Sequence, residues 1–151
     1  MEIFDTLGFL LGHWSLERSI DDHQSGTRGS FHGIAAVVAV PPGQEPATDG
    51  RASYHETGEL RLGGYSGPAS RRLEYAARPD GAGVLVSFAD GRPFIDLDLR
   101  DGTSHAVHQC REDRYELTTI ARSPRVVEER WQVRGPDKNY DAVTTLTRID
   151  G

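Results

Sequence analysis

Cysteine and long apolar runs are what this sequence has least of. Its single cysteine, Cys110, excludes a disulfide within the chain and is typical of a reducing compartment. The apolar stretch over residues 1–14 is broken by Asp5 and Gly8, and no basic segment precedes it. Neither a signal peptide nor a membrane span is therefore expected, and the protein is predicted to be cytoplasmic.

Positive charge is also scarce. Lys and Arg number 17 against 23 Asp and Glu, for a net charge of -6. Such a surface repels phosphate backbones and anionic lipids, so neither nucleic acid nor a membrane is an expected partner. Glycine and proline are abundant, with 17 and 8 among 151 residues, and 36% of residues are hydrophobic. This composition is typical of many short strands joined by turns, in one domain over residues 1–151.

Strand patterns fill most of the chain. A helical pattern comes first and is expected to form a lid or plug; its apolar residues are Ile3, Phe4, Leu7 and Leu10. Turn formers such as Gly63-Gly64 separate the strands, and tight turns predict that each strand pairs with its predecessor. The longest irregular segment, 41–50, is a candidate for the mobile rim of a barrel mouth. The predicted strands are centred on 12–20, 29–40, 51–57, 69–77, 83–89, 93–100, 103–111, 114–121, 125–134 and 139–149.

Two short motifs at opposite ends of the chain belong together. Gly12-His13-Trp14 opens the first strand, and Arg148 lies on the last. A closed sheet needs a large side chain to plug its bottom, and a cation can lie on the indole face. The pair resembles the signature of lipocalin or calycin barrels, which implies that the first and last strands are neighbours. The predicted fold class is all-β, a calycin-like up-and-down antiparallel barrel of about ten strands with a short N-terminal helix.

Alternation along each strand predicts which residues face the lumen. A barrel that needed only stability would be filled with aliphatic side chains, but this lumen mixes aromatic and ionisable ones. Burying an unpaired Arg or Glu costs on the order of several kcal/mol, so these groups must be paired, hydrated or functional. Glu56 and Arg71 can pair across one hairpin. If the inward and outward positions of a strand are shifted by one residue, its charged side chains face solvent instead. The predicted lumen holds Trp14, Leu16, Arg18, Ile20, Tyr54, Glu56, Arg71, Leu73, Tyr75, Phe88, Ala106, His108, Cys110, Tyr115, Leu117, Thr119, Val127, Trp131, Val133, Tyr140, Thr144, Leu146 and Arg148.

A cluster on two neighbouring strands can carry acid–base chemistry. His108 is the predicted general acid or base, and Tyr115 the donor that orients the substrate or a developing oxyanion. The structural alternative is a buried histidine hydrogen-bonded to a tyrosine. Cys110 is a weaker candidate as nucleophile, because a free cysteine is commonly a small buried hydrophobe. Glu56 completes the predicted catalytic set.

No metal or other cofactor is predicted. His105 and His108 point to opposite faces of one strand, so they cannot share a zinc ion without a bulge. The acidic run over residues 96–102 lacks the following Glu of a calcium loop, and its leucines alternate as in a strand. No second haem ligand, glycine-rich phosphate loop or nucleotide fingerprint is present.

Several motifs occur in an order that supports a more specific resemblance. They are Tyr54-x-Glu56-x-Gly58, Phe88-x-Asp90-x-Arg92-x-Phe94, His108-x-Cys110-x-x-Asp113-x-Tyr115 and Gly135-Pro136-x-Lys138-x-Tyr140. Over nearly the whole chain the sequence resembles the domain-of-unknown-function family DUF6314, whose members are short single-domain proteins mainly of bacteria and fungi. The resemblance implies a fold and no assigned reaction. The family usually has His after the Phe94 position, whereas this chain has Ile95; if that His takes part in catalysis, this member has lost it or differs in activity.

The leading functional hypothesis is a cofactor-independent isomerase, cyclase or lyase that acts on a partly apolar small molecule in bacterial secondary metabolism. Lys138, just past a turn, either binds a ligand carboxylate or phosphate or is simply solvated. One alternative is a non-catalytic carrier or sensor of a small ligand, and another is a structural barrel with an internal salt-bridge network. The sequence neither predicts nor excludes a homodimer. The predicted ligand-binding residues are Arg18, Tyr54, Arg71, Tyr75, Phe88, Phe94, Trp131 and Lys138.

Overall fold

The computed structural model describes residues 1–40, 50–79 and 82–149, and this part of the chain forms one short helix and ten strands. The strands make a single antiparallel sheet in the order β6-β5-β4-β3-β2-β1-β10-β9-β8-β7, which confirms the predicted fold class. Within the described ranges, no helix has the length and apolar character needed to cross a membrane. The elements are α1 Thr6–Leu10, β1 Gly12–Asp22, β2 Thr27–Ala39, β3 Arg51–Leu62, β4 Tyr65–Ala77, β5 Val84–Phe88, β6 Pro93–Leu97, β7 Thr103–Cys110, β8 Asp113–Ser123, β9 Val126–Arg134 and β10 Asn139–Arg148.

The first and last strands are neighbours, as the terminal motifs predict. Trp14 and Arg148 are directly opposite in the β1–β10 register, and the guanidinium carbon lies 4.1 Å from the centroid of the indole. Arg148 also donates to the carbonyls of Leu11 at 2.9 Å and Phe9 at 2.6 Å. The indole N–H of Trp14 donates to the Leu10 carbonyl at 3.0 Å. These contacts attach α1 to the paired strands β1 and β10.

The helix α1 plugs one end of the barrel. Asp5 caps its N-terminus, and the buried hydroxyl of Thr6 bonds to two distant connections of the sheet. It donates to the Ala82 carbonyl at 2.8 Å and accepts from the Leu99 amide at 3.0 Å. Phe4, expected on the apolar face of the helix, lies before its first residue and is 77% exposed, whereas its neighbour Ile3 is buried. The plug is confirmed, whereas the prediction for Phe4 is wrong.

The hairpin turns that follow β1, β3, β5, β7 and β9 all lie at the end opposite α1, which is therefore the mouth. Of the predicted rim loop, 41–50, only Gly50 is among the described residues. Gly50 accepts a hydrogen bond from the Ala77 amide at 2.7 Å and lies against Leu7 of the plug. Residues 41–49 lie outside the described residues, but the flanking Val40 and Gly50 are at the plugged end. For residues 41–49 the predicted rim therefore stays a prediction.

One expected strand pairing is missing. No ladder joins β6 to β7 in the described sheet, so these are its two edge strands. The Asp98 amide, just after β6, donates to the side chain of Ser104 at 3.2 Å and is thereby withdrawn from strand pairing. Side chains span the gap instead, with the rings of Phe94 and His108 5.2 Å apart. The sheet is consequently a nearly closed barrel with one seam.

Two strands run further toward the mouth than their sequence pattern predicts, since β3 reaches Leu62 and β4 begins at Tyr65. Gly58 and Pro68 obscured the pattern. A Cβ at Gly58 would lie 2.2 Å from a carbonyl oxygen of β2, so the close approach of the backbones requires glycine there. Pro68 is tolerated because β5 pairs with β4 only from Leu73 onward, which leaves that part of β4 at an edge.

The predicted inner face is confirmed along the strands. Its residues are buried or half-buried and most of their neighbours in sequence are more exposed. Large apolar side chains such as Trp14, Leu16 and Val84 fill the plugged half of the barrel. Apart from Arg148 beside Trp14, the ionisable residues of the inner face lie further toward the mouth, and they form the site described next.

We expect Arg148→Ala to lower the free energy of unfolding by about 2 kcal/mol, because it removes a cation–π contact and hydrogen bonds from a cation to carbonyls. Arg148→Lys should show a smaller loss, since an ammonium keeps the charge but not the planar set of donors. Urea denaturation checks both. The control Arg72→Ala, on the exposed face of β4, should change little; equal stabilities of Arg148→Ala and this control would contradict the role given to Arg148.

Candidate functional site

A buried charged cluster occupies the middle of the barrel. Glu56, only 3% exposed, accepts hydrogen bonds from both Nη atoms of Arg18 at 2.8 and 3.1 Å and from Nη2 of Arg71 at 3.1 Å. The hydroxyl of Tyr54 donates to the same carboxylate at 2.6 Å. Arg18 uses its remaining Nε to bond Thr144 at 2.8 Å. The predicted pairing of Glu56 with Arg71 across the β3–β4 hairpin is confirmed.

The protonation state of Glu56 follows from these contacts. Burial alone would raise its pKa, but the hydrogen bonds from Arg18 and the charge of Arg71 outweigh burial and lower the pKa from 4.5 to about 2. A carboxylate that stays ionised and fully engaged is a poor proton donor or acceptor near neutral pH. Its contacts therefore favour a positioning role for Glu56 over the catalytic role expected from the sequence.

A cavity of about 600 Å³ opens toward the mouth beside this cluster, within the usual size range of small-molecule sites. A smaller cavity of about 360 Å³ borders Arg18 and shares Arg71, Trp131 and Tyr140 with the larger one. The larger cavity brings together most of the residues predicted from sequence. Those that line it are Arg71, Phe88, Phe94, His108, Cys110, Tyr115, Trp131 and Lys138.

Three predicted site residues border neither of these cavities. Glu56 lies in the charged cluster, and Tyr54 stacks on Tyr75 with ring centroids 5.8 Å apart. Burial raises the pKa of both tyrosine hydroxyls, so they stay neutral. These residues form the layer behind Arg71 and hold its side chain in place, whereas the sequence pattern placed the tyrosines in the ligand wall.

His108 lies at the edge of an aromatic cluster on the cavity wall. Its ring centroid is 5.2 Å from that of Phe94, 5.8 Å from Phe88 and 5.9 Å from Tyr115. No group in the described part of the chain forms a hydrogen bond with its ring nitrogens, so the alternative of a His–Tyr hydrogen-bonded pair is not found. His105, as expected, is on the outer face, where it contacts Glu116 at 3.1 Å. Among the described residues no three His, Cys, Asp or Glu side chains are grouped to hold a metal ion.

Tyr115 is oriented by a lysine at the mouth. Nζ of Lys138 donates to the Tyr115 hydroxyl at 2.8 Å and lies 3.4 Å from Oδ2 of Asp113. The bond to Tyr115 raises the pKa of Lys138, which keeps it an ammonium. A phenol that accepts from an ammonium is polarised and can still donate its own proton. The half-buried thiol of Cys110 lines the same cavity.

The sequence analysis missed Glu129. It lies on β9 between the inward residues Val127 and Trp131, opposite Thr144 of β10. Burial raises its pKa, in contrast to Glu56. The alternation of Val127 and Trp131 pointed to this residue. Its charged neighbours in sequence made the stretch resemble a solvated face.

These features define a class, a nearly closed up-and-down barrel with a helical plug, a charged centre and a cavity at the mouth. The sequence matches the family of unknown function DUF6314 over residues 10–148, and the chain belongs to that family. The resemblance inferred from the motifs is thereby confirmed. No curated protein matches the sequence.

Two solved structures have a similar fold. An S-type phycobiliprotein lyase from Guillardia theta superposes with a TM-score of 0.69 at 12% identity, over 100% of this chain and 94% of that chain. A protein of unknown function of the DUF3598 family, from Nostoc punctiforme, superposes with a TM-score of 0.61 at 13% identity, over 95% of this chain but only 49% of that chain. At such identities the likeness shows the fold alone.

We expect the stability contributed by Glu56 to depend on pH. Because its pKa is depressed in the folded state, that contribution is present above pH 4.5 and is lost as the pH falls toward about 2. It amounts to about 3 kcal/mol. Urea denaturation at neutral pH and near pH 3 should show a larger loss for the wild type than for Glu56→Gln. The control Glu59→Gln, exposed on the same strand, should behave as the wild type; equal losses in all three proteins would contradict the assignment.

Proposed function

We propose that this protein binds a partly apolar small molecule in the larger cavity and catalyses a cofactor-independent acid–base reaction on it, an isomerisation, cyclisation or lyase reaction. One observation carries the proposal. His108 lines a cavity of ligand size with ring nitrogens that no described residue bonds, next to the Tyr115 hydroxyl that Lys138 holds at 2.8 Å. A free imidazole beside an oriented phenol is a suitable arrangement for proton transfer near neutral pH.

Each group has a distinct part in this reaction. His108 takes a proton from the substrate or returns one to it. The Tyr115 hydroxyl donates to a substrate oxygen on which negative charge develops, and this stabilises the transition state more than the ground state. Phe88, Phe94 and Trp131 contact the apolar body of the molecule and exclude water from it. Cys110 also lines the cavity and can contact a ligand there. A nucleophilic role for its thiol is a weaker proposal.

A lyase reaction is compatible with this architecture, since a phycobiliprotein lyase has a similar fold. The choice among the three reaction classes depends on the substrate. The setting in bacterial secondary metabolism and the cytoplasmic location stay predictions, and a homodimer is neither predicted nor excluded. The rival proposal is a carrier or sensor, which would use the same aromatic walls and would leave His108 without a chemical role.

Comparative metabolite profiling of the source organism, with and without this gene, tests the proposal. Deletion should cause an intermediate to accumulate and a product to disappear or change its stereochemistry. Reintroduced wild-type protein should restore the product, whereas His108→Ala should not, because the proton-transferring group is absent. Tyr115→Phe should restore only a small fraction, since removing one oxyanion donor slows such reactions by about a hundredfold or more.

His105→Ala is the matched control, since it removes an imidazole from the outer face of the same strand and should restore the product fully. An unchanged set of compounds at altered levels would favour the carrier. Full restoration by both His108→Ala and Tyr115→Phe would show that the catalytic assignment is wrong.

A further inference from the structure

Three buried polar atoms have no hydrogen-bond partner among the described residues, and two of them belong to residues that line the larger cavity. They are Nε of Arg71, Nε1 of Trp131 and Oε1 of Glu129. The guanidinium carbon of Arg71 lies 4.8 Å from the centroid of the Trp131 ring, and the indole N–H is close to the Glu129 carboxyl without completing a bond. Buried polar groups are nearly always satisfied, and an unmet donor costs about 1–3 kcal/mol. Together the three atoms outline a place for a polar group.

The two arginines beside this place are not equally engaged. Glu56 is ionised and neutralises one of the two arginines. Arg18 engages its Nε and both Nη atoms with Glu56 and Thr144, whereas Arg71 engages one Nη atom. Glu129 forms no ion pair within the described residues, and burial raises its pKa toward the neutral form. Arg71 therefore keeps donors that no described residue accepts, and its side chain has 33% of its surface accessible and borders both cavities.

We propose that the inner end of the cavity binds a monoanionic head group of the ligand, ordinarily a carboxylate, between the free donors of Arg71 and the indole N–H of Trp131, with Glu129 beside it. This inference rests on the proposed function and names its ligand class, an amphipathic monoanion with an apolar body. A planar carboxylate matches the fork of guanidinium donors.

The distance between the head-group site and His108 sets how far the reacting atom of the ligand lies from its acid group. The ring of Phe94 is between the two places, with its centroid 5.7 Å from that of Trp131 and 5.2 Å from that of His108. A ligand anchored at Arg71 therefore reaches His108 only if its body spans roughly one aromatic ring. The carboxylate of the ligand therefore binds at Arg71, and the atoms that exchange protons with His108 belong to another part of the ligand.

Two fluorescent dyes that share an apolar body and differ in charge test the proposal. One is the monoanion 8-anilinonaphthalene-1-sulfonate, and the other is the neutral N-phenyl-1-naphthylamine. Fluorescence titration should show that Arg71→Gln weakens binding of the anionic dye by about tenfold or more, the equivalent of one lost hydrogen bond to a charged group. Binding of the neutral dye should change by less than about twofold.

Trp131→Phe is the second variant, because Arg71 also supports Glu56 and its loss affects stability. This change removes the indole N–H and keeps a smaller apolar ring, so both dyes lose some apolar contact, and the anionic dye should be weakened by about threefold or more beyond the neutral dye. The matched control is Arg72→Gln, which removes the same charge from the next residue of β4 on its outer face. It should bind both dyes as the wild type does. Thermal unfolding establishes that each variant is folded at the titration temperature.

The outcomes separate this inference from the proposed function. Equal weakening of both dyes by Arg71→Gln and Trp131→Phe would overturn the head-group site and leave the binding of an apolar molecule intact. Weakening of the anionic dye by Lys138→Gln or Arg92→Gln at the mouth, but by neither inner variant, would likewise overturn it. If neither dye binds the wild type, both proposals fail. Loss of the catalytic role of His108 in the metabolite experiment would leave the head-group site standing.

Discussion

The ionised carboxylate of Glu56 in the middle of the barrel constrains the rest of the structure. A buried charge costs on the order of several kcal/mol unless cations and donors surround it, so β1, β3 and β4 must deliver Arg18, Tyr54 and Arg71 to one point. The largest aromatic and aliphatic side chains with full burial, such as Trp14 and Leu16, lie in the plugged half. Toward the mouth, the arginine side chains and the aromatic rings leave the space that forms the cavity.

Much of this arrangement can be read from the sequence, because the inward or outward orientation of a residue is a local property of a strand. The spacing of His108 and Cys110, and of Tyr115 after the turn, was enough to place all three on the inner face. Depth within the barrel is not local. Tyr54 and Tyr75 point inward as expected, yet they pack behind Arg71 and do not line the cavity. Only the packing of several strands decides which inward residue reaches the space.

Two other features escaped the sequence analysis for different physical reasons. Glu129 follows the period of two, but the adjacent Glu128 and Arg130 pair with each other on the surface and give the stretch a polar appearance. The second is the missing ladder between β6 and β7, where the Asp98 amide donates to the side chain of Ser104. Turn length predicts that two strands can pair. It does not predict competition from side-chain hydrogen bonds.

The seam between β6 and β7 has a mechanical consequence for the site. Elsewhere the barrel wall is joined by backbone hydrogen bonds, and widening it would break several at once. Between β6 and β7 the described contacts include the ring contact of Phe94 with His108, worth about 0.5–1.5 kcal/mol, and the hydrogen bond from the Asp98 amide to Ser104. The most compliant edge of the barrel therefore carries the imidazole that faces the cavity. A bulkier molecule can be accommodated there by rotating side chains, while the charged centre on the opposite strands stays rigid.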